Sequence, residues 1–511
     1  VSDWTAGYVA DIGYTFGYYA ELNPQRMALP FAQAGLEFPE VKNACELGFG
    51  QGVSVNINAA ASGAHWFGTD FNPSQAAFAQ SLASASGSQA QLGDEAFAEF
   101  CARTDLPDFD FIGLHGIWSW ISDANRAVIV DFVRRKLRVG GVLYVSYNTQ
   151  PGWAAAVPLR TLLTDHVRRM GVSGQGQAQK IDASLAFTQK LFELNPGYLV
   201  ANPKVADRLK ALQGQSRNYL AHEYFNQDWH PMSFGQMATW LDDAKLSYAC
   251  SANILDLVPA INLTNDQLAF LAAIPDAIFR ESVRDYVVNQ QFRRDYWVKG
   301  PRRLSAVAQV EHWSNLKVLL ITPRQDVDLK AIGSLGEAKL NDDVYKPVLD
   351  LLADHKPKTV GQLEAALGKA LNRSQLWQAI TILAGKNDLM LVQDEQNQSK
   401  AKAGTEKLNR HLVSRACSYA EVDYLASPVC GGGIAVPRLS QLFIQSRLTG
   451  GKTAEAAAKF AWQVISGQGQ QVIREGKALV SAEDNLAELN RLAVEFTEKR
   501  RPVLKALGIE C

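Results

Sequence analysis

An α/β fold is predicted, with a parallel, doubly wound sheet near the N-terminal end and mainly helical domains after it. Two patterns predict it. Short apolar runs alternate with helix-compatible stretches over residues 41–147, and helical periodicity takes over after Gly152. Strands separated by single helices need crossover connections, so βαβ units and a parallel sheet are the expected result.

Residues 41–47 are the first strand, closing on glycines, and residues 65–70 the second, closing on an acid. A short apolar run before Asp94 is the third, with 109–115 and 141–147 following. Helices are expected over 73–85 and 123–137. Asp123 is the expected cap of the latter, and Arg134, Arg135 and Lys136 lie at its C-terminal end, where the helix dipole favours cations. Residues 157–220 read as helices broken near Asn195-Pro196 and Asn202-Pro203. An aromatic-rich segment spans 223–253, and a basic and aromatic one spans 286–303. Residues 342–392 read as three helices and a short strand, the order of a small winged-helix-like module, with Thr359 opening its second helix. The polar stretch 394–407 is the expected linker. The remainder is mainly helical, interrupted by Cys430 and three glycines. The domains predicted are therefore 1–155, 156–305, 306–395 and 396–511.

Composition narrows the function classes. Of 511 residues, 47% are hydrophobic and 20% charged, which excludes disorder over most of the length. Lys plus Arg is 51 against 52 Asp plus Glu, so binding of nucleic acid through bulk positive charge is not expected. Residues 359–385 also carry few basic side chains, which argues against DNA recognition by that module. Six scattered cysteines form no C-x-x-C pair and read as cytosolic thiols. No apolar run approaches membrane-span length, and no metal-ligand spacing is visible. A soluble, cytoplasmic, multidomain protein without a metal is expected.

The motif that carries chemistry is Cys45-Glu46-Leu47-Gly48-Phe49-Gly50-Gln51-Gly52, between a predicted strand and a predicted helix. Glycines there let the backbone turn tightly and let a ligand approach its amides near a helix N-terminus. Alone, such a triad is also what an ordinary tight turn supplies. Asp70 shifts the balance, because an acid ending the next strand can accept hydrogen bonds from both ribose hydroxyls. Asp94, followed by Glu95, ends the third strand and can face an adenine amino group.

This arrangement resembles the class I S-adenosylmethionine-dependent methyltransferases, whose catalytic domain is Rossmann-like. The resemblance implies that Gly48, Gly50 and Gly52 border the methionine and ribose of the cofactor and that Glu46 orients the methionine end or the loop. It also implies that Asp70 holds the ribose and that Asp94 and Glu95 lie by the adenine. Trp4, Tyr8, Asp11 and Tyr14, then Tyr18, Tyr19, Glu21, Asn23 and Pro24, look like the N-terminus of bacterial methyltransferases that carry a methyltransferase regulatory domain. His115 to Trp120, Ser146 to Trp153, His222 to Asn226 and Phe292 to Asp295 resemble the same group. Its relatives include rickettsial protein-lysine methyltransferases that modify an outer-membrane protein. Methyl transfer to lysine of a protein partner is the implied activity. The alternatives are a small-molecule or cell-surface glycan methyltransferase, its extra domains serving homodimerisation, and a cofactor-binding interaction protein without turnover.

His115 ends a strand at the carboxyl edge of the sheet, where open α/β folds place ligands, so it faces either the acceptor and cofactor or the domain interior. Trp118 and Trp120, with Tyr14, Tyr18 and Tyr147, can form an aromatic wall that stabilises a cation, or can be core packing. Tyr8 and Tyr14 are candidate lid residues. The catalytic candidates are thus His115, Trp118, Tyr14 and Tyr147. His222 and Glu223 are expected to stabilise their domain, and Arg293, Arg294, Lys299, Arg302 and Arg303 to form a solvated or ion-paired surface.

Overall fold

The computed structural model describes residues 15–172, 174–226 and 228–510, so Tyr8 and Tyr14 lie outside the described residues. Five parallel strands form at the expected places: β1 Asn43–Leu47, β2 His65–Thr69, β3 Gln91–Gly93, β4 Phe109–Leu114 and β5 Leu137–Asn148. The crossovers carry α2 Val53–Ala61, α3 Pro73–Ser86, α4 Phe97–Ala102 and α5 Asp123–Lys136, after an initial α1 Ala28–Ala34. Asp123 is not the cap of α5. Ser122 is: its hydroxyl accepts the Asn125 amide at 3.3 Å, leaving Asp123 as the first-turn acid. The basic last turn is as expected.

Both faces of the sheet are buried, and side chains divide between them with the strand period of two. Ala44, Phe111, Val142, Tyr144 and Tyr296 pack on one face. Cys45, Ile112, Leu143, Tyr147 and Trp297 pack on the other.

The boundary expected at residue 155 does not follow the sheet. Residues 157–224 do form a helical unit, with α6 Val157–Met170, α7 Gln177–Glu193, α8 Gly197–Ala201, α9 Lys204–Gln213 and α10 Arg217–Tyr224 around Leu159, Leu163, Ile181 and Leu209. The chain then returns through α11 Phe234–Asp242 and adds β6 Leu246–Ser251 and β7 Phe292–Lys299 to the same sheet. Strand order is β3-β2-β1-β4-β5-β7-β6, with β7 antiparallel to both neighbours. The centre of the segment 286–303, read as basic surface, is this inner strand. Arg293 is buried and ion-paired to Glu281, Asp285 and Asp295.

Farther on, strand Lys317–Leu320 pairs with Lys358–Thr359 and Leu389–Leu391, beside helices Asp342–Leu352, Val360–Leu367 and Arg373–Gly385. Thr359 and Gln362 form a capping box that starts the second of these helices. The expected linker 394–407 is instead the first two-thirds of a helix, Glu395–Arg415, capped by the Asp394 carboxylate on the Asn397 amide. Ala401, Thr405, Leu408 and Leu412 line one face of it at helical spacing and are buried against α2 and α3. A low apolar content disguised that stripe, because small residues let the helix approach closely. A Cβ at Gly404 would stand 3.3 Å from the Ala60 carbonyl oxygen.

Leu408 is fully buried in this seam. Leu408→Ala is expected to destabilise the protein by about 2–5 kcal/mol, read as a lower midpoint in chemical denaturation. A midpoint equal to wild type would mean that residues 394–407 are a tether after all.

Candidate functional site

The turn between β1 and α2 depends on positive backbone angles. Gly48 has φ +74° and sits so close to Ile117 that a Cβ would lie 2.5 Å from its Cδ1. Gly52, with φ +69°, meets Ala79 of α3 in the same way. A side chain at either position is excluded by sterics as well as by conformation. Asp70, one residue past β2, fastens the turn. One carboxylate oxygen accepts the Gly50 amide at 2.8 Å and the other accepts the Asn72 amide at 3.1 Å. Burial pushes the Asp70 carboxyl up to about 6, against those two amides, which pull it down.

Above this turn opens a cleft of about 320 Å³. It is lined by Glu46, Gly48 and Gly50 of the turn, by Asp70, and by Glu95 and Phe97. Ile117, Trp120, Ile121, Asp228, Tyr19 and His115 line it as well. Two carboxylate oxygens here have no hydrogen-bond partner among the described residues, Oε2 of Glu46 and Oε2 of Glu95. Burial, then the nearby Asp70, raises the Glu46 carboxyl well above its usual range. The other oxygen of Glu95 takes Arg103 at 3.1 Å, and its backbone carbonyl accepts the Thr69 hydroxyl. Three acids round one buried turn make a site for a ligand that brings cationic or hydrogen-bond-donating groups.

His115 stacks on Tyr19 with ring centroids 3.7 Å apart, and its Nδ1 lies 2.8 Å from the Tyr144 hydroxyl. Loss of solvation pushes its pKa down to about 4, so the ring is neutral at pH 7. Glu21 opposes that shift, and its own carboxyl is held down by Arg294, 2.8 Å away, against burial.

The structure brings Glu46, Gly48, Gly50, Asp70, Glu95 and His115 together at the cleft. Gly52 stands just beneath, as the residue that opens α2. Asp94 is exposed and lies outside the cleft lining, whereas its neighbour Glu95 lines it. Trp118 is in the core, its indole N–H donating to the Met232 sulfur at 3.1 Å. Tyr147 is in the core as well, donating to Asp295 at 3.0 Å. Parity explains the latter: Tyr144 and Tyr147 are three residues apart on β5 and take opposite faces. Tyr18 turns away to Asn58, 3.1 Å from its hydroxyl. Of the expected aromatic wall, Trp120 does line the cleft, and Tyr19, Phe49, Phe71 and Phe97 join it there. Alternation in the extended chain before residue 20 offered a signal for Tyr19, since Tyr18 and Tyr19 must point to opposite sides. Asp228 offered none. Residues 115, 117 and 120 come from one loop after β4, and Asp228 from the far end of the helical unit.

The fold and the site together define a class I methyltransferase architecture, its last two strands drawn from a later segment of the chain. Residues 216–299, which include those strands, match the family described as a predicted methyltransferase regulatory domain. An uncharacterized protein of Synechocystis is 38% identical over 512 aligned residues, 99% of each chain. The chain belongs with it to the family of methyltransferases that carry this regulatory domain. An uncharacterized protein of Rickettsia prowazekii is 26% identical over 55% of this chain and 51% of its own. Among solved structures, PKMT2 from Rickettsia typhi in complex with AdoHcy shares the fold, with TM-score 0.68 and 16% identity over 97% of this chain and 99% of that one.

The Asp70 carboxyl gives this site a pH signature. Its folded pKa of about 6 exceeds the unfolded value of 3.8, so the folded state holds the extra proton between them. The Asp70 contribution to stability is therefore full below about pH 3.8 and is lost as pH rises through about 6. The stability of wild type relative to Asp70→Asn is expected to fall across that window and to level off above it. A flat difference in thermal midpoint from pH 4 to about 7 would contradict the buried placement of this carboxyl.

Proposed function

We propose that this S-adenosylmethionine-dependent methyltransferase transfers methyl to lysine side chains of a protein. The observation that carries the cofactor reading is the cleft, where a glycine turn, the clamped Asp70 and the unpartnered oxygens of Glu46 and Glu95 converge. These residues fit the group. Asp70 accepts two amides and keeps lone pairs for ribose hydroxyls, and Glu46 offers a buried oxygen to the methionine ammonium. Glu95, beside the apolar Phe97 and Ile117, suits an adenine and its amino group. S-adenosylmethionine supplies an electrophilic methyl on a sulfonium, and the protein's part is to orient the reactants and exclude water.

Lysine is favoured by the family resemblance and by the character of the cleft. Tyr19, Trp120 and Asp228 all line it, and aromatic rings together with a carboxylate attract an alkylammonium group. Lysine has an unperturbed pKa of about 10.4 and must lose a proton before it can attack, and partial desolvation between these rings lowers that pKa. The large helical units suit a macromolecular acceptor. The winged-helix-like layout of residues 317–391 is read as scaffold. The buried free thiols Cys45, Cys101, Cys250 and Cys430 suit a reducing cytoplasm. No helix among the described residues is long and apolar enough to cross a membrane.

Incubation with methyl-labelled S-adenosylmethionine and a fractionated lysate tests the acceptor. Label in protease-sensitive material that maps to lysine is expected. Label confined to small molecules or lipid-linked sugars would discard the protein acceptor and keep the cofactor. Asp70→Ala is expected to weaken cofactor binding by about 10–100-fold in calorimetry, the loss of hydrogen bonds to a charged acceptor. Wild-type affinity should also weaken as pH falls below about 6, where Asp70 takes up its proton. Unchanged affinity in the variant would remove Asp70 from the cofactor site.

A further inference from the structure

The His115 ring is held at Nδ1 by the buried Tyr144 phenol, next to the loop that Ser146 pins. The Gly116 amide can only donate, and it donates to the Ser146 hydroxyl oxygen at 2.8 Å. Tyr144 beside it is fully buried, so the proton of its phenol must find an acceptor. A hydroxyl oxygen can accept twice, so the direction is set by the Tyr144–His115 contact itself: a phenol is a stronger acid than a neutral imidazole N–H, and an imidazole nitrogen a stronger base than a phenol oxygen. The Tyr144 proton therefore goes to Nδ1 of His115 at 2.8 Å. An Nδ1 that accepts is bare, and a neutral imidazole with a bare Nδ1 carries its proton on Nε2. His115 lines the cleft, so with Nδ1 taken, Nε2 is the nitrogen left to a ligand there.

We propose that Tyr144 is a positioning residue that fixes His115 in the Nε2–H tautomer, so that His115 offers the cleft a hydrogen-bond donor and does not act as a base. The surroundings agree. Tyr19 covers one face of the ring at 3.7 Å, and Phe292 meets its edge at 6.3 Å. The charged groups facing it are Glu21 and Arg294, which pair with each other at 2.8 Å. The Glu21 charge raises the His115 pKa, but burial outweighs it and keeps the ring from gaining a second proton near pH 7. The consequence for catalysis rests on the methyltransferase reading. An amine acceptor then sheds its proton to water and arrives neutral, and Nε2–H is available to hold a lone-pair-bearing group of the cofactor or acceptor.

The tautomer itself can be read without any turnover. Full-length protein labelled with ¹⁵N only at histidine shows the two ring nitrogens of each of its 8 histidines separately in long-range proton–nitrogen spectra. His115 is assigned by its loss in His115→Gln, or, if that variant does not fold, by contacts to the Tyr19 ring protons. The expected result is a bare Nδ1 and a protonated Nε2 from pH about 6 to about 8. Tyr144→Phe is expected to release this preference and give a mixture or the opposite tautomer. A protonated Nδ1 in wild type, or a tautomer unchanged in Tyr144→Phe, overturns the proposal. Failure of the methyltransferase reading would show instead as absent cofactor binding, with the nitrogen signals still decisive.

Discussion

The pairing of β7 with β5 is the constraint on which the rest of the molecule depends. It runs from Val142 against Val298 to Asn148 against Phe292. Because side chains alternate along β7, one strand serves two interiors. Phe292, Arg294 and Tyr296 face the His115 side. There Arg294 holds Glu21, and the Tyr296 hydroxyl donates to the Glu21 carbonyl at 2.9 Å. Arg293, Asp295 and Trp297 face the other side. There Arg293 satisfies Glu281, Asp285 and Asp295, and Asp295 also accepts the Tyr147 hydroxyl. Removing one member of such a buried ion cluster leaves an uncompensated charge, which costs about 3–5 kcal/mol. Burial raises the Asp285 carboxyl to about 7 even so, and Arg293 opposes that rise.

This pairing changes what a regulatory segment means here. Residues 216–299 are the family-matched region, yet their last strand is an inner strand of the catalytic sheet and their loop supplies Asp228 to the cleft. That segment meets the site at β7 and at the loop 228–230, whose His230 amide donates to the Ser119 carbonyl at 2.8 Å. The N-terminal strap is held from the far side as well. Tyr18 packs on Tyr424, and Asn23 bonds the Cys430 carbonyl, while the adjacent Tyr19 stacks on His115. The glycines after Cys430, unexplained as a sequence feature, are where the hairpin of strands Tyr424–Ser427 and Gly432–Ala435 admits the Tyr18 ring. A Cβ at Gly433 would lie 2.9 Å from it.

The parallel strands were legible because each is a mostly apolar run of strand length, the first three closing on glycine or an acid. The glycine turn and Asp70 were legible because sterics and hydrogen bonding leave few alternatives at those positions. What escaped was long-range. Residues 246–251 and 292–299 join a sheet begun two hundred positions earlier, and no local pattern distinguishes an inner antiparallel strand with Arg293 and Asp295 from a basic surface. Trp118 and Tyr147 have the composition of a ligand wall but the wrong parity or turn to reach it. Helix Glu395–Arg415 hid behind its polar faces, since its contact stripe is built from Ala, Thr and Leu and carries a glycine beside it.

The central claim is that the turn at residues 46–52, with Asp70, Glu95 and His115, holds S-adenosylmethionine. Backbone hydrogen exchange of the full-length chain, with and without S-adenosylhomocysteine, tests it most directly. The account predicts added protection at the amides of Gly48 to Gly52, Phe71 and Asn72, and Gly116 and Ile117, with the sheet interior unchanged. Binding without protection at these amides, or protection confined to the helical units, would contradict it.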